Sequence, residues 1–170
     1  KPPLSHVALV MDGNRRCAKL HGLPIIEGHK EGERRIEPIV KRCQDLGIQA
    51  VTFYTLSVDN LERPQEEVTA LIDVLRKGLP SVFSRLEKEN GRFRALGNIE
   101  QFPADIQTGL QEAMLLSQDR KGITVNLAMA YSGRDEIKRA VQKIVRLGYK
   151  EKEITEELIS QSLDTAGQPD

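Results

Sequence analysis

Apolar positions along this chain switch repeatedly between two periods, which predicts strands and helices in alternation. Residues 7–11 form a continuous apolar run, the pattern of a short strand buried on both faces. A helix is expected over 31–46, with Ile36, Ile39, Val40 and Cys43 inward, Gly47 as its stop and Pro38 as a kink. Residues 50–56 are rich in β-branched and aromatic side chains and read as a second strand. Residues 65–89 read as a long amphipathic helix through Val68, Leu71, Ile72 and Leu75, which Gly78 and Pro80 should bend or split.

The second half repeats the alternation. A strand over 92–96 follows the Asn90-Gly91 turn. Pro103 stands where a helix would begin, with Ile106, Leu110, Ala113 and Met114 inward. A strand over 123–129 and a helix over 133–147 come next. After a charged loop over 148–153, Thr155 is placed to cap a last helix through Leu158, Ile159 and Leu163. The order predicts an α/β fold: one domain, a mostly parallel central sheet, helices on both of its faces. No internal repeat, low-complexity segment or domain boundary interrupts it. In such sheets ligands gather at the carboxyl ends of the strands. Asp12, residues 57–60 and residues 131–134 all fall on that rim.

Composition narrows the function classes. A chain of 170 residues buries roughly 70% of its unfolded surface, enough for one core. Lysine plus arginine number 25 and aspartate plus glutamate 25, so no global field attracts nucleic acid. Tryptophan is absent, which argues further against base stacking. Cys17 and Cys43 have no metal-ligand spacing and form no disulfide framework, which suits a reducing, cytoplasmic compartment. No stretch reads as membrane-spanning or as a signal peptide.

The chemistry concentrates where the first strand ends, in Met11-Asp12-Gly13-Asn14-Arg15-Arg16. A carboxylate beside the free N–H groups of a helix start, with two guanidinium groups within one turn, can hold a magnesium ion and a diphosphate. The same residues also fit a plain strand, a glycine turn and a solvated basic helix start, or Asp12 as a simple N-cap. His29 stands alone, and a lone histidine is usually structural. Asn60 also fits a strand-end turn. Arg63 and Glu67 fit a surface pair four residues apart.

The wording of these stretches is more specific. His6 through Lys19, Gly28-His29-Lys30, Leu56-Ser57-Val58-Asp59-Asn60 with Arg63-Pro64 and Glu67-Val68, then Gly122 through Asn126 and Tyr131 through Ile137, occur in order and span essentially the whole chain. Together they resemble the cis-prenyltransferases, the undecaprenyl and dehydrodolichyl diphosphate synthase family. The resemblance implies a sheet and two helices enclosing a hydrophobic tunnel. It implies condensation of isopentenyl diphosphate with an allylic diphosphate such as farnesyl diphosphate, to give a longer cis-polyprenyl diphosphate. It further implies Mg2+, a homodimer and peripheral membrane contact through the lipid product. Asp12 would serve the metal and catalysis, and Gly13 and Asn14 would allow close approach. Arg15, Arg16 and His29 would meet the diphosphate. Asn60, with Ser57, would position substrate and help remove the proton. Arg63 and Glu67 would order the segment over the site, Arg134 would take a structural or diphosphate-proximal role, and part of the Val68, Leu71, Ile72 and Leu75 face, with Ile123, would line the tunnel.

Departures from the family pattern are Arg15, Cys17, Ile25, Thr55 and Leu61. Residues 165–170 match the stretch that precedes the family's arginine-rich, diphosphate-binding segment, so residues 1–170 are expected to form the cis-prenyltransferase domain without that segment. On its own this chain should bind an allylic diphosphate and not turn it over. Two other readings stand beside this one: a non-catalytic partner subunit of a prenyltransferase complex, or a phosphate-binding α/β module without Walker or dinucleotide fingerprints.

Overall fold

A single four-stranded sheet, parallel throughout, organises the chain in a computed structural model that describes residues 4–169. Strands β1 (His6–Val10), β2 (Ala50–Ser57), β3 (Arg92–Leu96) and β4 (Thr124–Tyr131) lie in the order β1-β2-β4-β3. The helices are α1 (Asn14–Leu20), α2 (Ile25–Arg34), α3 (Ile36–Asp45), α4 (Gln65–Lys88), α5 (Ala104–Ser117), α6 (Gly133–Arg146) and α7 (Glu156–Ser162).

One sheet face is apolar. Register sets Val7, Val51, Val125 and Phe93 in one row and Leu9, Phe53, Leu127 and Ala95 in the next. These residues join Ile36, Val40 and Cys43 of α3, Leu71, Leu79 and Leu86 of α4, and Ile106 and Leu110 of α5 in one hydrophobic core. The opposite face carries a polar row, Ala8, Thr52, Asn126 and Arg94. Residues 164–169 run across it. Asn126, fully buried, donates to Thr52 and exchanges two hydrogen bonds with Gln168, at 2.6 and 2.8 Å. Arg94 donates to the carbonyls of Asp164 and Ala166. The Asp164 carboxylate accepts from Arg139 at 2.6 and 2.8 Å and from the Gly97 N–H at 2.8 Å. His6 bridges Thr52 and the carbonyl of Pro169. Asp170 lies outside the described residues.

Several elements depart from the sequence pattern for identifiable reasons. β1 is not buried on both faces: Val10, at its carboxyl end, is largely exposed and borders a polar cavity. The fully buried strand is β4, flanked on both sides. The helix expected over 31–46 begins at Ile25 and divides at Arg35. Pro38 has no N–H to continue a ladder from α2, and it sits without cost in the first turn of α3. Gly47, at φ 74°, ends α3 with N–H bonds from Gly47 to Gln44 and from Ile48 to Cys43, a Schellman closure. α4 runs unbroken through Gly78 and Pro80, because Leu71, Leu79 and Leu86 hold both halves against the same core. The loop over 148–153 contains a short 3-10 turn at Glu151–Glu153. Thr155 caps α7 as expected, at 3.1 Å to the Leu158 N–H, but the helix stops short of Leu163.

Candidate active site

The carboxyl ends of β1 and β2 open into a polar cavity of about 530 Å3. Ten of the residues singled out by sequence line it: Asp12, Gly13, Asn14, Arg15, Arg16, His29, Ser57, Asn60, Arg63 and Leu71. They come from four separate segments that parallel pairing and the α1–α2 contact bring to one rim.

Gly13 makes the corner. Its φ of 93° is open to glycine at little cost and turns the chain from β1 into α1. Asp12 does not cap α1: the N-cap is Gly13, with no side-chain cap bond. Instead Asp12 Oδ1 accepts from the Gly13 N–H at 2.5 Å and Oδ2 accepts from Arg16 at 3.0 Å, with both side chains about three-quarters exposed. Asn14 donates back to the Met11 carbonyl at 3.3 Å.

α1 is held by α2 through two glycines one turn apart. A Cβ on Gly28 would lie 2.2 Å from the Asn14 carbonyl oxygen, and one on Gly32 would lie 2.6 Å from Asn14 Oδ1. This flat face fixes Asn14, Arg15 and Arg16 relative to His29, which sits on α2 beside Gly28. The spacing Gly28-x-x-x-Gly32 is visible in the sequence as a close-packing signal, beyond the role of Gly28 in the Gly-His-Lys stretch.

His29 Nε2 is buried and has no hydrogen-bond partner among the described residues. Burial lowers the His29 pKa below its ordinary value. The Arg63 and Arg15 guanidinium groups lower it further, and Glu67 opposes them. An uncharged imidazole with an orphaned nitrogen, beside two cations, is suited to receive an anion. Glu67 lies behind the cavity wall and does not line it. Its carboxylate takes Arg63 at 2.8 Å and Arg15 at 3.8 Å, so it orients both guanidinium groups. Arg63 and Glu67 thus do form the expected i,i+4 pair, but a half-buried one.

Ser57 and Asn60 form a reciprocal capping box around the Val58–Glu62 turn. Ser57 Oγ accepts from the Asn60 N–H, and Asn60 Oδ1 accepts from the Ser57 N–H, both at 3.2 Å. The side-chain oxygen of Asn60 thus accepts one bond and keeps a second lone pair, and its amide NH2 is left to donate.

An apolar slot of about 80 Å3 leaves the polar cavity between α2, α4 and β2. Met11, Asn14, His29, Thr55, Leu56 and Leu71 border both spaces. Leu71 and Leu75 line the slot as expected, Val68 and Ile72 do not, and Val74, Gly78, Leu79, Val82 and Leu127, which the sequence reading did not assign to it, do. Ile123 borders neither space. It is buried just before β4, at the amino end of the sheet and so away from this rim.

The third sequence stretch acts from behind. Tyr131 and Arg134 do not line the cavity, and Arg134 is exposed at the start of α6. The Tyr131 carbonyl accepts from the hydroxyl of Tyr54, a cavity residue that sequence reasoning missed, at 2.7 Å. The Tyr131 hydroxyl donates to buried Glu136 at 2.6 Å, and Glu136 also accepts from the Asp164 N–H. Burial and the Glu136 contact raise the Tyr131 pKa, so it remains a donor.

Comparison with known proteins adds sequence and shape. Residues 10–170 match the prenyltransferase family model that describes undecaprenyl diphosphate synthase. An isoprenyl transferase of Aquifex pyrophilus is 41% identical over 165 residues, covering 97% of this chain and 71% of that protein. One of Neisseria gonorrhoeae is 37% identical over 165 residues, covering 97% and 66%. The chain therefore spans about two thirds of the length of these relatives. The crystal structure of lavandulyl diphosphate synthase from Lavandula x intermedia, in complex with dimethylallyl diphosphate, superimposes with a TM-score of 0.90 at 32% identity, covering 96% of this chain and 72% of that one.

Proposed function

The chain belongs to the undecaprenyl diphosphate synthase family of prenyltransferases, and from that premise we propose that it binds an allylic diphosphate such as farnesyl diphosphate and extends it with isopentenyl diphosphate into a longer cis-polyprenyl diphosphate. One observation carries this reading. A polar cavity with three guanidinium groups and an unpartnered histidine nitrogen opens directly into an apolar slot. That pairing fits a molecule with a diphosphate head and a hydrocarbon tail.

Arg15, Arg16 and Arg63 surround the head, and guanidinium groups match phosphate oxygens in bidentate fashion. His29 Nε2 supplies a further contact. Asp12 and Arg16 hold each other in the ligand-free site. Arg16 would turn to the diphosphate and the Asp12 carboxylate would hold the metal. Asp12 is the only carboxylate lining the cavity, and no cluster of three histidine, cysteine, aspartate or glutamate side chains suited to a metal occurs among the described residues. One carboxylate plus substrate phosphates suits magnesium, which keeps much of its water. Bound there, Mg2+ would neutralise charge on the departing diphosphate.

As the allylic C–O bond breaks, its electron pair leaves with the diphosphate, and the arginines stabilise that charge. The homoallylic double bond then attacks the allylic carbon, and the proton lost from the resulting cation passes to the released diphosphate. Asn60 contributes as a donor through its NH2. We place the isopentenyl diphosphate contacts outside residues 1–170. Residues 1–170 thus form the allylic half of the site.

The intact Asp12–Arg16 stretch argues against a non-catalytic partner subunit. The slot argues against a plain phosphate-binding module. Ile137, Val141 and Val145 form an exposed apolar stripe on α6, which supports a homodimer through that face. No helix of the described residues is long and apolar enough to cross a membrane. Membrane contact, in a cytoplasmic protein, would come through the lipid product.

Labelled isopentenyl diphosphate tests the proposal. The full-length protein should incorporate it into farnesyl diphosphate with Mg2+, while residues 1–170 should bind farnesyl diphosphate without turnover. Steady elongation by residues 1–170 would contradict the division of the site. No binding of farnesyl diphosphate by either form would contradict the function.

A further inference from the structure

The turn that joins α1 to α2 presents apolar side chains to water. Leu20 is 84% exposed, Leu23 51% and Ile25 43%. The turn is ordered. Gly22, at φ 64°, donates its N–H to the Lys19 carbonyl, and the Leu23 N–H reaches the Ala18 carbonyl, a Schellman closure. The His21 ring donates to the Cys17 carbonyl at 2.9 Å. Ala18 is buried where α1 meets Gly28 of α2. The three apolar side chains are thus held outward, where a covering surface would remove the cost of hydrating them.

Charge around this tip has one sign. Positions 13–26 hold Arg15, Arg16 and Lys19 and no carboxylate. Arg16, Lys19 and Leu20 share one face of α1 by their spacing, and Leu20 stands about 6 Å beyond Arg16 along the helix. Lys19 has no ion pair among the described residues. Arg15 and Arg16 also line the polar cavity. The order along α1 is therefore cavity mouth, cations, apolar tip. The exposed stripe on α6 is different, because Asp135 at its start pairs with Lys138 and Arg139 and balances them.

A convex apolar tip bordered by cations fits a surface that yields and is negatively charged. In a lipid bilayer the leucines would enter the acyl boundary and the cations would stay among the headgroups. We infer that residues 20–25 dock this protein on an anionic membrane, with the cavity mouth held at headgroup level. This is a contact made by the protein itself, beyond any made by its lipid product. It rests on the allylic diphosphate reading above, since the head of a membrane-held prenyl chain would then lie beside Arg15 and Arg16. Ile25 is among the departures from the family pattern, so the tip belongs to this chain's own sequence.

Tryptophan is absent from the chain, so Leu20→Trp places a single indole at the tip. On vesicles of phosphatidylcholine and phosphatidylglycerol in equal parts its emission should shift to the blue, and bromine-labelled lipid should quench it. Salt should weaken the effect, and phosphatidylcholine alone should give much less of it. Val141→Trp on α6 should not shift. Pelleting with the same vesicles follows the protein without an indole. Leu20→Gln with Leu23→Gln should lower its partitioning about tenfold, and Lys19→Gln about fivefold. Leu20→Gln alone, at the most exposed position, covers a double variant that melts early and should move partitioning the same way. Affinity for farnesyl thiolodiphosphate in solution should stay within about twofold in all of them, because none of these side chains lines the cavity. Unchanged partitioning in the leucine variants, no partitioning of the unaltered protein, or a blue shift at Val141 in place of Leu20 would overturn the docking surface and leave the functional reading intact. A blue shift at Leu20 that grows with protein concentration and needs no vesicles would assign the tip to a second copy and overturn it as well. Docking through the tip with no binding of farnesyl thiolodiphosphate would instead overturn the reading on which the inference rests.

Discussion

Replacing Asp12 by alanine in the full-length enzyme should slow prenyl transfer by about 10²-fold or more, because it removes the charge stabilisation directed at the leaving diphosphate. Among the described residues Asp12 is the only carboxylate lining the cavity, so no neighbour there substitutes for it. Folding should hardly change. The side chain is about three-quarters exposed, and its partner Arg16 is equally so; exposed pairs of this kind contribute little to stability. Turnover at saturating substrate across a magnesium titration, beside a thermal melt, reads both effects. Near-normal turnover with an unchanged magnesium requirement would reduce Asp12 to a turn residue that binds its neighbour's N–H.

Gly28→Ala should damage the site through packing alone. The new methyl carbon would lie 2.2 Å from the Asn14 carbonyl oxygen and 3.0 Å from the Ala18 Cβ. Both belong to a helix rather than to the end of a flexible side chain, so α1 must move away from α2. Overpacking of this kind costs about 1–3 kcal/mol. Because α1 carries Asn14, Arg15 and Arg16, affinity for the diphosphate head should fall together with the melting temperature. Gly109→Ala is the control: nothing lies within 4 Å of its added carbon, and a mid-helix alanine there should stabilise by roughly 0.5–1 kcal/mol. If Gly28→Ala melted and bound like the unaltered protein, the α1–α2 contact would not be what holds the arginines in place.

Much of this arrangement is legible in the sequence, and the parts that are not share a cause. Strand β3 lies where the Asn90-Gly91 turn places it, and α6 and the Thr155 cap lie within a residue or two of their patterns. Hydrophobic period and turn chemistry are local signals. The rim rule likewise brings Asp12 and Ser57–Asn60 together, since parallel strands share one carboxyl end. What escapes is set by contacts distant in the chain. Val10 reads as buried because apolar content does not reveal that the end of β1 opens onto the polar cavity. Ile123 reads as tunnel wall because its burial is legible and its end of the sheet is not. Tyr54 enters the site only because the Tyr131 carbonyl, 77 residues away, holds its hydroxyl. The path of residues 164–169 depends on Asp164 meeting Arg139 and Gly97, pairings with no sequence period.

The most direct measurement is the titration of His29, followed through its imidazole 15N resonances in residues 1–170, with and without saturating farnesyl thiolodiphosphate. Without ligand its pKa should lie below the ordinary value of about 6.5, since burial and the nearby Arg63 and Arg15 disfavour the charged ring. In that window the unfolded chain binds the proton more readily than the fold. The ligand-free protein should therefore lose stability as pH falls from the ordinary histidine value towards the lowered one. A diphosphate beside Nε2 reverses the balance by favouring the imidazolium, so the pKa of His29 should rise on binding, with proton uptake. A ligand that saturates the protein and leaves the His29 titration unchanged would place the diphosphate elsewhere and contradict the assignment of this cavity.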